Sequence, residues 1–266
     1  MERKAKPVLQ TETTPRRRGR PPRVESPIGA EPLLSRNVLI DRAAEMAKRM
    51  SLDQISMVQL AKEFGVAPGL IHYYLGSRDD LISGVLNKYY RERVERLAPL
   101  TGDWRTDVEG ISNVTFSLAT EWPGISLYVV SHNRFRLFQE VPAGETDYGM
   151  VLFDHIVSAF LQGGFTTDSA ALAYHLLAQF LLASSVAVAG RQAPAEHKGF
   201  ILDKFASVSR ERYPAATAVG PAFASLDSDK AFQEGLRLLL DGFEQWANAN
   251  APKAASARPA SKKKAK

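Results

Sequence analysis

Apolar positions recur at helical spacing along most of the chain, and most tightly from Ser56 to Leu75, SMVQLAKEFGVAPGLIHYYL. Met57, Leu60, Ala61 and Phe64 fall at i, i+3, i+4 and i+7, which makes one stripe on a helix. Ser56-x-x-Gln59 ahead of them has the form of a capping box. Gly65 suits the left-handed residue that closes a helix. Val66 can plug the angle that follows. Pro68 fits the first turn of a second helix, where its missing N–H has no partner to lose. Ile71, Tyr74 and Leu75 give that helix an inner face. Two short helices around a glycine-containing turn form a helix-turn-helix, whose second helix commonly lies in a DNA major groove. The same spacing also suits an ordinary hairpin inside a helical bundle.

Before this motif, Ser35 is placed to cap a helix from Arg36 to Met50 with Val38, Leu39, Ala43, Met46 and Ala47 inward. Ser51-Leu52-Asp53 reads as a turn, with Ile55 tucked beneath the motif. After it, Ser77-x-x-Asp80 opens a helix running to about Leu97, with Leu81, Val85, Leu86, Tyr89 and Val94 inward. Pro99-Leu100-Thr101-Gly102 stops it. Further helices are predicted over 103–119, 123–138, 146–162, 168–189, about 196–208, and 227–247. The 168–189 helix is apolar all round and should be buried on most sides. Phe232, Leu236, Leu239, Leu240 and Phe243 form one stripe on the last. No strand pattern rises above noise, so the fold class is all-α. The expected division is a basic arm over 1–34, a helix-turn-helix domain over 35–100, a helical bundle over 101–250 and a basic tail over 251–266.

Composition adds three constraints. The 266 residues include no cysteine, which excludes disulfides and thiolate metal sites. No run of eighteen apolar residues is present, so no membrane span is read. The basic N-terminus lacks the apolar core of a signal peptide, so a cytoplasmic location is expected. The net charge of +5 is unevenly placed. Residues 1–36 hold nine Lys/Arg against four Glu, and residues 252–266 hold six Lys/Arg and no acid. The body between them is acidic, so an argument from basicity toward nucleic acid applies to the tails alone.

With six prolines and few apolar residues, the 1–34 arm is expected to be disordered. It contains Arg18-Gly19-Arg20-Pro21, a core similar to an AT-hook. Glycine lets such a backbone sink into a narrow A·T minor groove, and Arg18 and Arg20 would lie along its floor. A solvated arm that only screens phosphates fits the same residues. The five histidines, at 72, 132, 155, 175 and 197, show no i, i+3 or i, i+4 pairing with one another. No phosphate loop, nucleophile elbow or zinc spacing occurs. No enzyme, cofactor or metal site is therefore expected.

The run Gly65 to Ile82, GVAPGLIHYYLGSRDDLI, resembles the DNA-binding signature of the tetracycline-repressor family of bacterial regulators. The resemblance implies a homodimer on double-stranded DNA, and a C-terminal bundle that houses a small-molecule effector between its middle helices. On the second helix of the motif, Pro68, Gly69, Leu70, His72 and Tyr73 face outward. None is Arg, Lys, Asn or Gln, the usual bidentate base readers. Gln59 and Lys62 can supplement them from the first helix. His72 stands where the family usually has a phosphate-binding Tyr, and Tyr74 where it often has His. Arg78 stands where it usually has Lys, and Ser56 where it has Thr or Ser. Phosphate contacts of this kind set register without reading sequence. For the effector the aromatic and histidine candidates are Trp104, Phe116, Trp122, Tyr128, His132, Phe135, Phe138, Phe153 and His175. With no polar constellation visible, an apolar or aromatic effector is expected.

Two functions remain open at this stage. One is a ligand-responsive regulator, expected to be a repressor, on a palindromic operator. The other is an A·T-biased architectural DNA-binding protein without an effector.

Overall fold

The computed structural model describes residues 34–132 and 136–250, with side chains to 248. Arg18, Arg20, Phe135 and the 251–266 tail therefore lie outside the described residues. Eleven α-helices are present among them and no strand: α1 Arg36–Ala47, α2 Met57–Phe64, α3 Pro68–Leu75, α4 Arg78–Arg96, α5 Trp104–Glu121, α6 Pro123–Ser131, α7 Tyr148–Gln162, α8 Thr167–Ala189, α9 Lys198–Ala206, α10 Pro214–Phe223 and α11 Ser228–Asn250. A 3-10 turn at Leu52–Gln54 precedes α2.

Local chemistry fixes the helix ends. Ser35 accepts the amide of Val38 at the start of α1. Ser56 accepts the amide of Gln59 at 3.0 Å, but Gln59 does not reach back, so the expected capping box is half made. Ser77 and Asp80 complete theirs at the head of α4. Two direct hydrogen bonds from Ser77 hold the Asp80 carboxyl below its ordinary range. Gly65 closes α2 at φ +64, where a Cβ would be strained. Between α4 and α5 the Asp107 carboxylate gathers the Thr101 amide, the Thr101 hydroxyl and the Gly102 amide.

Helices α1 to α3 close around Leu39, Leu52, Ile55, Leu60 and Ile71, each essentially inaccessible. Val38, expected inward, is exposed, and Ile40 is buried in its place. Helix α4 packs on α1 and α3 with its first half and on α5 and α7 further along. The bundle core runs through Leu118, Trp122, Tyr128, Phe160, Leu177 and Phe232, continuous with the core beneath α1 to α3. Gly124 in α6 meets the end of α1 so closely that a Cβ would stand 1.9 Å from the Met50 carbonyl oxygen.

Three elements differ from expectation. The 123–138 helix stops at Ser131, because Ser131 Oγ and His132 Nδ1 both donate to the Tyr128 carbonyl, the acceptor that continued helix would need. Residues 214–223, left between the helices expected over 196–208 and 227–247, form α10, with Pro214 at the tolerated first position and alanines behind it. Helix α8 is buried on one stripe alone, at Ala170, Ala173, Leu177, Leu181 and Ser185, while Leu172 is half exposed. The stretch Thr167–Ala206 is long and apolar enough to cross a membrane by length and composition, which the sequence reading did not pick out. In the structure α8 packs against α5, α6, α7 and α11.

Candidate nucleic-acid interface and interior cavity

The α2–α3 pair presents one continuous outer surface. Pro68, Gly69, Leu70, His72 and Tyr73 are all exposed, Tyr73 at 80%. Their placement follows from Ile71 and Leu75, which point into the core and turn the remaining positions outward. Tyr74 is half-buried and meets Tyr73 edge to face at 5.3 Å between ring centres. His72 donates from Nδ1 to the Gly76 carbonyl at 3.2 Å, which leaves Nε2 directed away from the helix end. Lys62 is exposed and Gln59 half-buried on α2. The Ser56 hydroxyl serves as a cap. Arg78 is exposed, but its guanidinium donates to the Asp53 carbonyl and so ties α4 to the turn before α2. Together these groups form a convex surface of rings, one imidazole and flanking cations. Such a surface fits thymine methyls and phosphates better than it fits a donor–acceptor code.

A cavity of about 360 Å³ lies inside the bundle, a size suited to a small organic ligand. Helix α4 contributes Tyr89, Tyr90 and Arg93, α5 contributes Thr115, and α6 contributes Ile125, Ser126 and Val129. Leu152 and Ile156 of α7 and Tyr174, Leu177 and Leu181 of α8 complete most of the wall. Arg136 enters from beyond the end of α6. Its guanidinium donates to the Tyr128 hydroxyl at 2.9 Å, while its backbone carbonyl accepts from Tyr90 and Gln139. Arg93 donates to the Thr115 hydroxyl. Burial pushes the Tyr89 and Tyr90 phenols up, and Tyr174 up to about 12, with Arg93 opposing each shift.

Of the sequence candidates for this site, His175 lines the cavity, on its exposed side. The other described candidates lie elsewhere. Phe116 stacks on Phe232 with centroids 3.9 Å apart, Trp122 packs against Tyr89, and Trp104 packs against Phe160 and Phe165. Tyr128 stands one shell behind the wall, under Arg136, with the His132 ring 4.0 Å from its own. Phe153 bridges Phe138 and Tyr174. The polar wall formed by Arg93, Arg136, Thr115 and Ser126 was not anticipated. Ten and more residues separate its members, and no sequence spacing brings them together. No cluster of metal-ligating side chains is present among the described residues.

Comparison with known proteins gives a consistent result. A family model described as tetracyclin repressor-like, C-terminal domain, matches residues 127–246. The transcriptional regulator BetI of Brucella anthropi is 34% identical over 87 residues, which are 33% of this chain and 44% of that protein. The chain thus matches less than half the length of this curated relative. Apo ActR from Streptomyces coelicolor superposes with a TM-score of 0.64 at 22% identity, covering 80% of this chain and 98% of that one. ActR in complex with actinorhodin superposes at 0.65 and 22%, covering 79% and 95%. At that identity the likeness concerns the fold.

Proposed function

We infer the function from one premise: the chain belongs to the tetracycline-repressor family of bacterial regulators. We propose that it is a cytoplasmic transcriptional regulator, a repressor, that binds a palindromic operator as a homodimer and is released by a small-molecule effector. Residues 35–100 read the DNA and residues 101–250 bind the effector and the second subunit.

The observation that carries the reading is the position of α4. Its first turn is tied to the DNA-reading motif through Arg78 and Asp53, and its middle supplies Tyr89, Tyr90 and Arg93 to the cavity. A ligand that changes the seat of α4 changes the seat of α3. Helix α6 offers a second route, since Gly124 rests on the end of α1 while Ile125 and Val129 line the cavity. Such a ligand acts only in so far as it binds the released arrangement more tightly than the DNA-bound one. The dimer reading is supported by α8 and α11. Only 22% of the most apolar window within Thr167–Ala206 is buried inside the chain, and Leu238 on α11 is 62% exposed. A two-fold pairing of these faces sets two α3 helices one DNA turn apart, about 34–36 Å.

The absence of polar base readers on α3 keeps the architectural reading as the alternative. Selection from random duplexes followed by titration separates the two. A regulator gives a palindromic consensus and a specific-to-non-specific ratio of roughly a thousand or more. An architectural protein gives A·T bias and a ratio near one. In the regulator, Tyr73→Ala lowers operator affinity by about tenfold at unchanged melting temperature, because an 80% exposed ring contributes little to folding.

A further inference from the structure

We propose that the cavity takes an organic anion, a carboxylate carried on an apolar or aromatic body, with the carboxylate seated against Arg93 and Arg136. This deepens the reading of the cavity as the effector site and rests on it.

The two guanidiniums are the reason. Arg93 and Arg136 are more than nine-tenths buried and line the same 360 Å³ space. An uncompensated buried charge is costly, and such groups are normally paired. Arg93 makes no ion pair among the described residues. Arg136 approaches one carboxylate, Asp79, at 3.5 Å and through a single Nη2. No Asp or Glu lines the cavity. Both Nε–H groups are buried without an acceptor, a rare condition in a finished core. Thr115 and Tyr128 each hold one Nη2 and so orient the two guanidiniums without neutralising them.

A carboxylate supplies what is missing. Its two oxygens match the planar fork of a guanidinium and accept two parallel N–H bonds. The Tyr89 and Tyr174 phenols in the wall stay protonated at neutral pH and can donate as well. The remaining wall is apolar, formed by Ile125, Val129, Leu152, Ile156, Leu177 and Leu181. An inorganic anion would leave that wall against water, and a neutral aromatic without an acceptor would leave both Nε–H groups unbonded. The effector expected from sequence as apolar or aromatic therefore gains an acidic group.

The test uses the full chain and two matched probe pairs, 2-naphthoate with 2-naphthamide and decanoate with decanamide. Calorimetric titration and melting curves are recorded for each. At least one acid is expected to bind tenfold or more tightly than its amide and to raise the melting temperature. Arg93→Met and Arg136→Met should each erase that preference while leaving amide binding equal or stronger. Amides binding as well as acids overturns the proposal, and so does the failure of both acids to bind. So does full retention of acid affinity in both folded variants. If a variant does not fold, the comparison within the unsubstituted protein decides. Operator titration in the presence of the acid separates this proposal from the one beneath it. Acid binding with unchanged operator affinity upholds the anion site and sinks the effector reading. Operator binding without acid binding overturns the anion site and leaves the DNA-binding reading standing.

Discussion

The α2–α3 surface and the cavity are built in opposite ways. The surface uses residues within one short stretch, 56–78, each placed by its own helix end or its neighbour one turn away. The cavity draws on α4, α5, α6, α7, α8 and the segment at 136, so its wall spans residues 89 to 185. One is convex, solvated and poor in charge readers. The other is concave, lined mostly by apolar side chains, and carries two buried guanidiniums with a single carboxylate, Asp79, near one of them. A surface that must meet DNA can be specified locally. A chamber that must enclose a ligand exists only once the bundle has closed.

The largest expected effect falls on the residue that most clearly separates core from chamber. Phe116 has the aromatic character of a ligand contact, yet it stacks on Phe232, which itself stacks on Phe180 at 5.7 Å. Phe116→Ala should cost about 3–5 kcal/mol of stability through lost burial and the cavity left behind. Denaturant unfolding measures this. Ligand affinity in the folded fraction should stay within a few-fold. A stability loss under about 1 kcal/mol, with ligand affinity abolished, would return Phe116 to the chamber wall.

This contrast also explains what the sequence could and could not disclose. Ser77, Asp80, Gly65 and Pro68 act on the backbone within four residues of themselves, so their roles are visible in the letters alone. Helix periodicity likewise placed Leu60, Ile71, Leu86, Phe232 and Phe243 in the core. Arg93 was invisible because it looks like one more cation on a highly charged helix, RDDLISGVLNKYYRERVER. It is buried only in the closed bundle, where α5 sets the Thr115 hydroxyl against its guanidinium. Arg136 was hidden behind a helix expected to run to Phe138, and the stop at Ser131 depends on side-chain competition for one carbonyl. The apolar faces of α8 read as core because periodicity shows that a face is apolar and not what covers it.

A smaller effect sharpens the local side of the comparison. The Ser56 hydroxyl caps α2 through Gln59, and a phosphate contact to DNA is proposed for it as well. Ser56→Ala should cost about 1 kcal/mol of stability, whereas Ser56→Gly should cost only a few tenths, because glycine is a tolerated cap. Both delete the same hydroxyl from the DNA side. Equal loss of operator affinity in the two variants, despite unequal melting temperatures, assigns the hydroxyl a contact of its own. Affinity that follows stability assigns it the cap alone.

The smallest effect at neutral pH distinguishes the chamber by its titration. Tyr174 faces the cavity, and burial raises its phenol from 10.0 to about 12. In the unfolded chain that phenol ionises near its ordinary value. A group raised in the folded state contributes stability that is present below 10.0 and lost as the pH climbs toward 12. Tyr89 and Tyr90, in the same wall, shift in the same direction by the same cause. Tyr174→Phe removes one member and should flatten part of the alkaline decline while leaving the pH 7 melting temperature nearly unchanged. An alkaline limb insensitive to Tyr174→Phe would mean that water already fills the chamber. In that case the two arginines would be solvated too, and the case for an anion there would lose its electrostatic basis.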